Sequence, residues 1–209
     1  MIDLYTAKTP NGRKISIFLE ETGLDYAVRA LDLERGDQRG AEFTALNPNQ
    51  KIPAIVDHDV KGDPIGIFES GAILIYLAEK TGTFLPAEGR ERAAVVQWLM
   101  YQMSHVGPII GQAGHFVNNA PEPIQYAIDR FIGEALRIIG VLNTGLDGHD
   151  YLADQYSIAD IATYPWVHAA WGPFSTMMPD EVAKLGNVQA WLDRLGARDA
   201  VERGMAVPA

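Results

Sequence analysis

The segment Gln50-Lys51-Ile52-Pro53-Ala54-Ile55 limits the folds open to this chain more than any other. It follows Asn47-Pro48-Asn49 and opens the apolar run 52–56, so it reads as a tight turn that delivers the chain into a buried strand. Proline is tolerated at a strand's first residue because that position need not donate to the ladder. Ile52, ahead of it, is driven into an extended conformation. Its N–H and C=O are then placed to pair with an extended peptide from outside the chain, as an added strand would. The residues alone leave the isomer of the Ile52–Pro53 bond open, with trans the default.

Around that turn the hydrophobic period sets the order of elements. Ile2-Asp3-Leu4-Tyr5 alternates and predicts a strand, followed by a loop over 6–12. From Arg13 the apolar positions Ile15, Phe18 and Leu19 have a helical period, with Glu20 and Glu21 on the other face and Gly23 as the stop. A strand over 26–31, a charged loop over 32–40, a short helix over 41–46, and strands over 54–56 and 65–68 come next. Glu69-Ser70-Gly71 then opens a long helix. The order is β-α-β-α-β-β-α over residues 1–81, and 82–88 reads as a linker.

Residues 89–209 carry helical patterning only. The run 90–116 is interrupted by Gly107-Pro108, where a kink is expected. A second long helix spans 123–146, and shorter ones span 179–185 and 188–195. Ser157-Ile158-Ala159-Asp160 predicts a capped helix start, with Ser157 accepting from the Asp160 N–H and the Asp160 carboxylate reaching back.

Composition narrows the chemistry. The net charge is −10, which argues against nucleic acid or an anionic membrane surface as partner, since both need a basic face. There is no cysteine, so disulfides, zinc-thiolate sites, thiol nucleophiles and Cys-x-x-Cys pairs are excluded. Any thiol chemistry must bring its sulfur with the substrate. His105 and His115 lack metal-ligand spacing, and no metal is expected. Neither a phosphate-binding glycine loop nor a Gly-x-Ser-x-Gly elbow occurs. The chain opens directly in a strand pattern without a signal peptide, and no apolar run reaches transmembrane length; a cytoplasmic location is expected.

The β-α-β-α-β-β-α unit, Ile52-Pro53-Ala54, Glu69-Ser70 at a helix start, Gly82-Thr83-Phe84-Leu85-Pro86 and Ser157-Ile158-Ala159-Asp160 together resemble the cytosolic glutathione transferases over nearly the whole chain. Thr9-Pro10-Asn11-Gly12, Phe68 to Leu74, Gly107-Pro108 with Gly111-Gln112, and Tyr126-Ala127-Ile128-Asp129-Arg130 are similar to the nu class. That class groups bacterial disulfide-bond reductases with the glutathione transferase-like domain of the yeast nitrogen-regulatory prion protein. The resemblance implies a thioredoxin-like N-terminal domain with a cis-proline, an all-helical C-terminal domain, a homodimer, and glutathione as co-substrate.

It also implies roles. Ser70 and the start of its helix would hold the γ-glutamyl carboxylate, and Glu69 the ammonium. Ile52, ahead of Pro53, would pair with the cysteinyl backbone. Gln38 and Lys51 would reach the glycyl end, and Arg130 a glutathione carboxylate. Thr9 and Asn11 would donate to the thiolate, whose pKa a helix N-terminus lowers; which of the two is the main donor is open. Tyr101, His105, His115 and Phe116 are candidates for a second-substrate pocket between the halves. Plain alternatives stand beside these roles: a cap for Glu69 and Ser70, solvated side chains for Gln38, Lys51 and Arg130, core packing for the aromatic residues. The implied activity is reduction of a small disulfide through two glutathiones. Conjugation or ether cleavage at an electrophilic carbon, and a non-catalytic glutathione-binding module, are the alternatives.

Overall fold

Four short strands form one mixed sheet in the order β2-β1-β3-β4 in the computed structural model, which describes residues 1–208. Strand β1 (Ile2–Thr6) runs parallel to β2 (Tyr26–Ala30) and antiparallel to β3 (Ala54–Asp57), which pairs antiparallel with β4 (Ile65–Phe68). Central strand β1 is covered on both faces, and even its Asp3 is buried, held by Arg29 at 3.1 Å and His58 at 3.0 Å. The outer strands β2 and β4 are largely exposed.

Helix α1 (Pro10–Thr22) begins three residues earlier than the periodicity predicts. Thr9 is its N-cap, with an extended backbone and a side chain that accepts from the Gly12 N–H, and Pro10 takes the first turn, where its missing N–H costs nothing. Asn11 therefore lies inside the helix, not in a loop before it. Gly23 closes α1 in the left-handed conformation, donating to the Leu19 carbonyl at 2.9 Å. A 3₁₀ turn (Asp37–Arg39) and α2 (Ala41–Leu46) lead to the Ile52–Pro53 bond, which is cis. Helix α3 (Ser70–Thr81) follows β4. Ile15, Phe18 and Leu19 of α1 and Ile73, Leu74 and Leu77 of α3 are fully buried. After α3 the chain folds back, and the Phe84 ring meets Phe18 edge-on at 5.8 Å.

The described residues group into two compact units, Met1–Ala87 together with 196–208, and Glu88–Leu195. The sequence reading places 196–209 in the helical half; the structure groups the described residues 196–208 with the sheet. Its helix α10, numbered last in the chain (Asp199–Met205), has no counterpart among the predicted elements. It packs on α1 so closely that a Cβ on Gly204 would lie 2.5 Å from the Ile17 Cα. The Gly204 carbonyl accepts from Ser16 at 2.7 Å, and Arg198 forms two hydrogen bonds with Glu21 at 2.7 and 2.9 Å.

The second unit is helical. The run expected as one kinked helix is α4 (Gly89–Tyr101), a π-helical turn (Gln102–Val106) and α5 (Gly107–Asn118). Pro108 has no N–H for the Ser104 carbonyl, and the chain accommodates it by widening the preceding turn rather than by ending the helix. Helix α6 (Gln125–Gly145) packs so tightly that a Cβ on Gly145 would lie 2.5 Å from the Trp98 ring. Helix α7 (Ile158–Met177) carries the predicted box: the Ala159 N–H donates to Ser157 Oγ at 3.2 Å, and Asp160 accepts from the Ser157 N–H at 3.1 Å. Asp160 also accepts from the Leu152 N–H at 3.0 Å and Trp191 Nε1 at 2.9 Å, so it ties α7 to α9 (Gly186–Gly196). Short α8 (Pro179–Val182) covers only part of the stretch predicted as 179–185.

Candidate functional site

In the first unit a groove of about 160 Å³ is lined by Asn11, Asn47, Asn49, Lys51, Ile52, Pro53, Glu69 and Ser70. Three elements converge there: the start of α1, the loop ahead of β3, and the start of α3. The loop is shaped by Asn47, which is buried. Its Nδ2 donates to the Lys51 carbonyl at 2.7 Å, and its Oδ1 accepts from the Asn49 N–H at 2.9 Å. This side chain replaces backbone partners that a short turn cannot supply. Pairing in β3 begins at Ala54, opposite Tyr5 and Phe68, so the Ile52 peptide groups lie outside the ladder.

At the start of α3, Glu69 holds φ at 70°, in the left-handed region that non-glycine residues rarely enter. Its side chain makes no cap hydrogen bond, so the plain capping role open to Glu69 at the sequence level is not the one it adopts. The first N–H groups of a helix have no intrahelical partner. Ser70 is 6% exposed, and its Oγ lies 3.2 Å from Nζ of Lys14. Lys14 is fully enclosed; burial pushes its ammonium down to about 7, against the opposing field of Glu69.

At the start of α1, Thr9 Oγ1 accepts from the Gly12 N–H at 3.3 Å, which leaves the hydroxyl proton able to donate elsewhere. A Cβ on Gly12 would collide with Thr6 Oγ1 and lie 2.6 Å from the Ala7 carbonyl oxygen, so only glycine lets the helix start this close to the end of β1. Tyr5 is half-buried, its ring 5.9 Å from Phe43.

Of the residues singled out from the sequence, Asn11, Lys51, Ile52, Pro53, Glu69 and Ser70 share the groove. Thr9 caps the helix that carries Asn11, and Gln38 lies in the 3₁₀ turn with a buried Oε1 that has no hydrogen-bond partner among the described residues. The others belong to the helical unit. Tyr101 stacks on His105 at 5.0 Å and donates its hydroxyl to the Ile138 carbonyl. Phe116 stacks on Phe131 at 5.3 Å, and His115 meets Phe116 edge-on. Arg130 is exposed and lines a shallow hollow with Tyr126, Asp129, Gly133 and Glu134. His115 lines an apolar cleft of about 600 Å³ with Trp166 and Phe174.

Asn47, Asn49, Gly12 and Lys14 escape the sequence reading. Asn47 and Asn49 register there only as loop formers. Lys14 sits between helical apolar positions and gives no sign that it is enclosed. Among the described residues no group of three or more His, Asp or Glu side chains is arranged to hold a metal.

Comparison with known proteins gives consistent matches over both units. Residues 2–79 match the glutathione S-transferase N-terminal domain, and residues 125–194 the C-terminal domain. The disulfide-bond oxidoreductase YfcG of Escherichia coli K12 is 49% identical over 208 residues, covering 98% of this chain and 94% of that protein. A glutathione transferase from Pseudomonas putida, solved with one glutathione disulfide bound per subunit, superposes with a TM-score of 0.94 at 40% identity, covering 100% of this chain and 92% of that one. A family member from Pseudomonas fluorescens, solved with two glutathiones bound, superposes with a TM-score of 0.94 at 42% identity, covering 99% and 93% of the two chains.

Proposed function

This chain belongs to the glutathione S-transferase family, and from that premise we propose that it is a glutathione-dependent disulfide-bond reductase. The thiolate of one bound glutathione attacks a sulfur of the substrate disulfide and expels the other half as a thiolate. A second glutathione then attacks the mixed disulfide, releasing the remaining half as a thiol and leaving oxidised glutathione. One observation carries the reading. The chain has no cysteine, while similar structures hold two glutathiones or one glutathione disulfide, so both sulfurs come from the co-substrate.

The residues singled out from the sequence supply the protein's part. The γ-glutamyl carboxylate meets the first N–H groups of α3 and the Ser70 hydroxyl; Glu69 takes the ammonium. The cysteinyl backbone pairs with Ile52 beside Pro53. Gln38 and Lys51 serve the glycyl carboxylate, and Arg130 a further carboxylate. Thr9 and Asn11 direct donors at the sulfur, where the start of α1 also favours negative charge. Tyr101, His105, His115 and Phe116 face the second substrate. The working form in this reading is a homodimer in the cytoplasm, and among the described residues no helix is long and apolar enough to cross a membrane.

The test is glutathione-dependent reduction of 2-hydroxyethyl disulfide, with calorimetric titration by reduced and by oxidised glutathione. Turnover, with the oxidised form bound at least as tightly as the reduced form, supports the reading. Turnover of an aryl ether or a chlorinated aromatic acceptor without disulfide turnover replaces it with a transferase or lyase. Glutathione binding with no turnover of any of these replaces it with a non-catalytic binding module.

A further inference from the structure

A lysine is rarely enclosed unless something balances its charge. Lys14 is 1% exposed, with Nζ 3.2 Å from the hydroxyl of Ser70, the residue that opens α3 in the groove. It joins the two helix starts that line the groove, since it stands on α1 five residues after Thr9. The elements around it hold other carboxylates, but these have cations of their own. Glu20 and Glu21 of α1 pair with Arg203 of α10 and with Arg198, the residue just ahead of that helix. Asp3 of β1 pairs with Arg29 and His58, and Asp57 of β3 with Lys80, with Tyr76 donating to it as well. Glu79 lies nine residues beyond Ser70 along α3, roughly 13 Å of helix rise away. Arg13 on α1 and Lys51 at the groove are further cations of these elements. Glu69 is the carboxylate whose field reaches Lys14, and it is exposed.

We propose that Lys14 is a positioning residue of the glutathione site: it fixes the Ser70 hydroxyl and, from behind the start of α3, supplies the charge that the γ-glutamyl carboxylate meets, so that binding loads a solvent proton onto Lys14. The inference rests on the reading of the groove as a glutathione site. Without ligand, burial holds the amine at about 7, and a large fraction of molecules carry Lys14 neutral above that pH. An arriving carboxylate favours the ammonium. Binding at alkaline pH then consumes one proton, taken up as the amine nitrogen becomes –NH₃⁺.

The experiment is calorimetric titration of the full-length protein with S-methylglutathione, whose blocked thiol releases no proton. It is run in phosphate and in Tris, above and below the value of about 7. The expected result is proton uptake approaching one per ligand above that pH and fading below it, with Kd weakening toward about tenfold per pH unit on the alkaline side. In Lys14→Met the uptake disappears and Kd is flat across the same range. Wild-type binding without uptake, or uptake that persists in Lys14→Met, overturns the proposal while leaving the glutathione site intact. No binding at any pH overturns the site reading and the proposal together. Should Lys14→Met fail to fold, ¹³Cε spectra of the wild type replace it, since the chain has six lysines. One resonance titrating near neutrality in the free protein and held charged in the complex is expected; six resonances all titrating in the ordinary lysine range overturn the proposal.

Discussion

The amide of Gly12 donates to Oγ1 of Thr9 at 3.3 Å, so the residue that caps α1 is also the proposed thiolate donor. Thr9→Ala removes both roles and should destabilise the fold by about 0.5–2 kcal/mol. Thr9→Ser retains both. Asn11→Ala leaves the cap untouched and should slow glutathione-dependent disulfide reduction by up to about tenfold at neutral pH, the upper limit for raising the bound thiol's pKa by about one unit. Thiol titration of the glutathione complex, monitored by thiolate absorbance, reads the shift directly. If Asn11→Ala leaves that titration in place and Thr9→Ala moves it, threonine is the main donor.

Ser70→Ala removes the hydroxyl that, in the proposed reading, meets the γ-glutamyl carboxylate and that lies 3.2 Å from Lys14 Nζ. A hydrogen bond to a charged group is worth roughly 1.5–3 kcal/mol. Glutathione affinity should therefore fall by about ten- to a hundredfold, measured by calorimetry, with little change in the melting temperature of the second unit.

Gly204→Ala should disturb the docking of α10 on α1, because the added Cβ would press on the backbone of Ile17. Overpacking of this kind costs about 1–3 kcal/mol. The urea midpoint should drop accordingly. Amide exchange should accelerate in Asp199–Met205 and α1 before it does so in α6.

Asp160 is buried and raised to about 6 by desolvation, despite the hydrogen bonds it accepts from Leu152, Ser157 and Trp191. Between its unfolded value of 3.8 and about 6 the native state binds more protons than the unfolded chain. Its contribution to stability therefore grows as pH falls through that window and is lost as pH rises through about 6. Relative to Asp160→Asn, the wild type should gain on the order of 3 kcal/mol between neutral pH and about pH 4, by denaturant unfolding at each pH. Asp160→Ala strands several buried donors and should cost at least about 3 kcal/mol at every pH.

Much of the architecture is legible in the residues because local chemistry and tertiary structure agree there. Ala41–Leu46 and Ile65–Phe68 form where the pattern puts them, and Ser157-Ile158-Ala159-Asp160 closes as a box because the partners of a helix cap lie within one turn. The start of α1 was also written locally, in Thr9 followed by Pro10, but apolar periodicity begins only at Ile15 and so points three residues too late. The π turn before Pro108 depends on how the chain absorbs one missing N–H, which periodicity does not encode.

What the sequence by itself determined is a sheet-containing unit followed by a helical one, a turn at Ile52-Pro53, a helix opening at Ser70, and the rule that any thiol chemistry must take its sulfur from outside. These follow from hydrophobic period, backbone restriction and the absence of cysteine, all properties of neighbours along the chain or of composition. The tertiary structure alone decided that Lys14 is enclosed against Ser70, fifty-six residues away, and that Asn47 shapes the loop carrying Ile52. It likewise decided that α10 returns to the unit holding α1. A lysine, an asparagine or a glycine looks the same in sequence whether it meets water or another element. Its role is set by which distant backbone approaches it, and only the packed fold brings that backbone near.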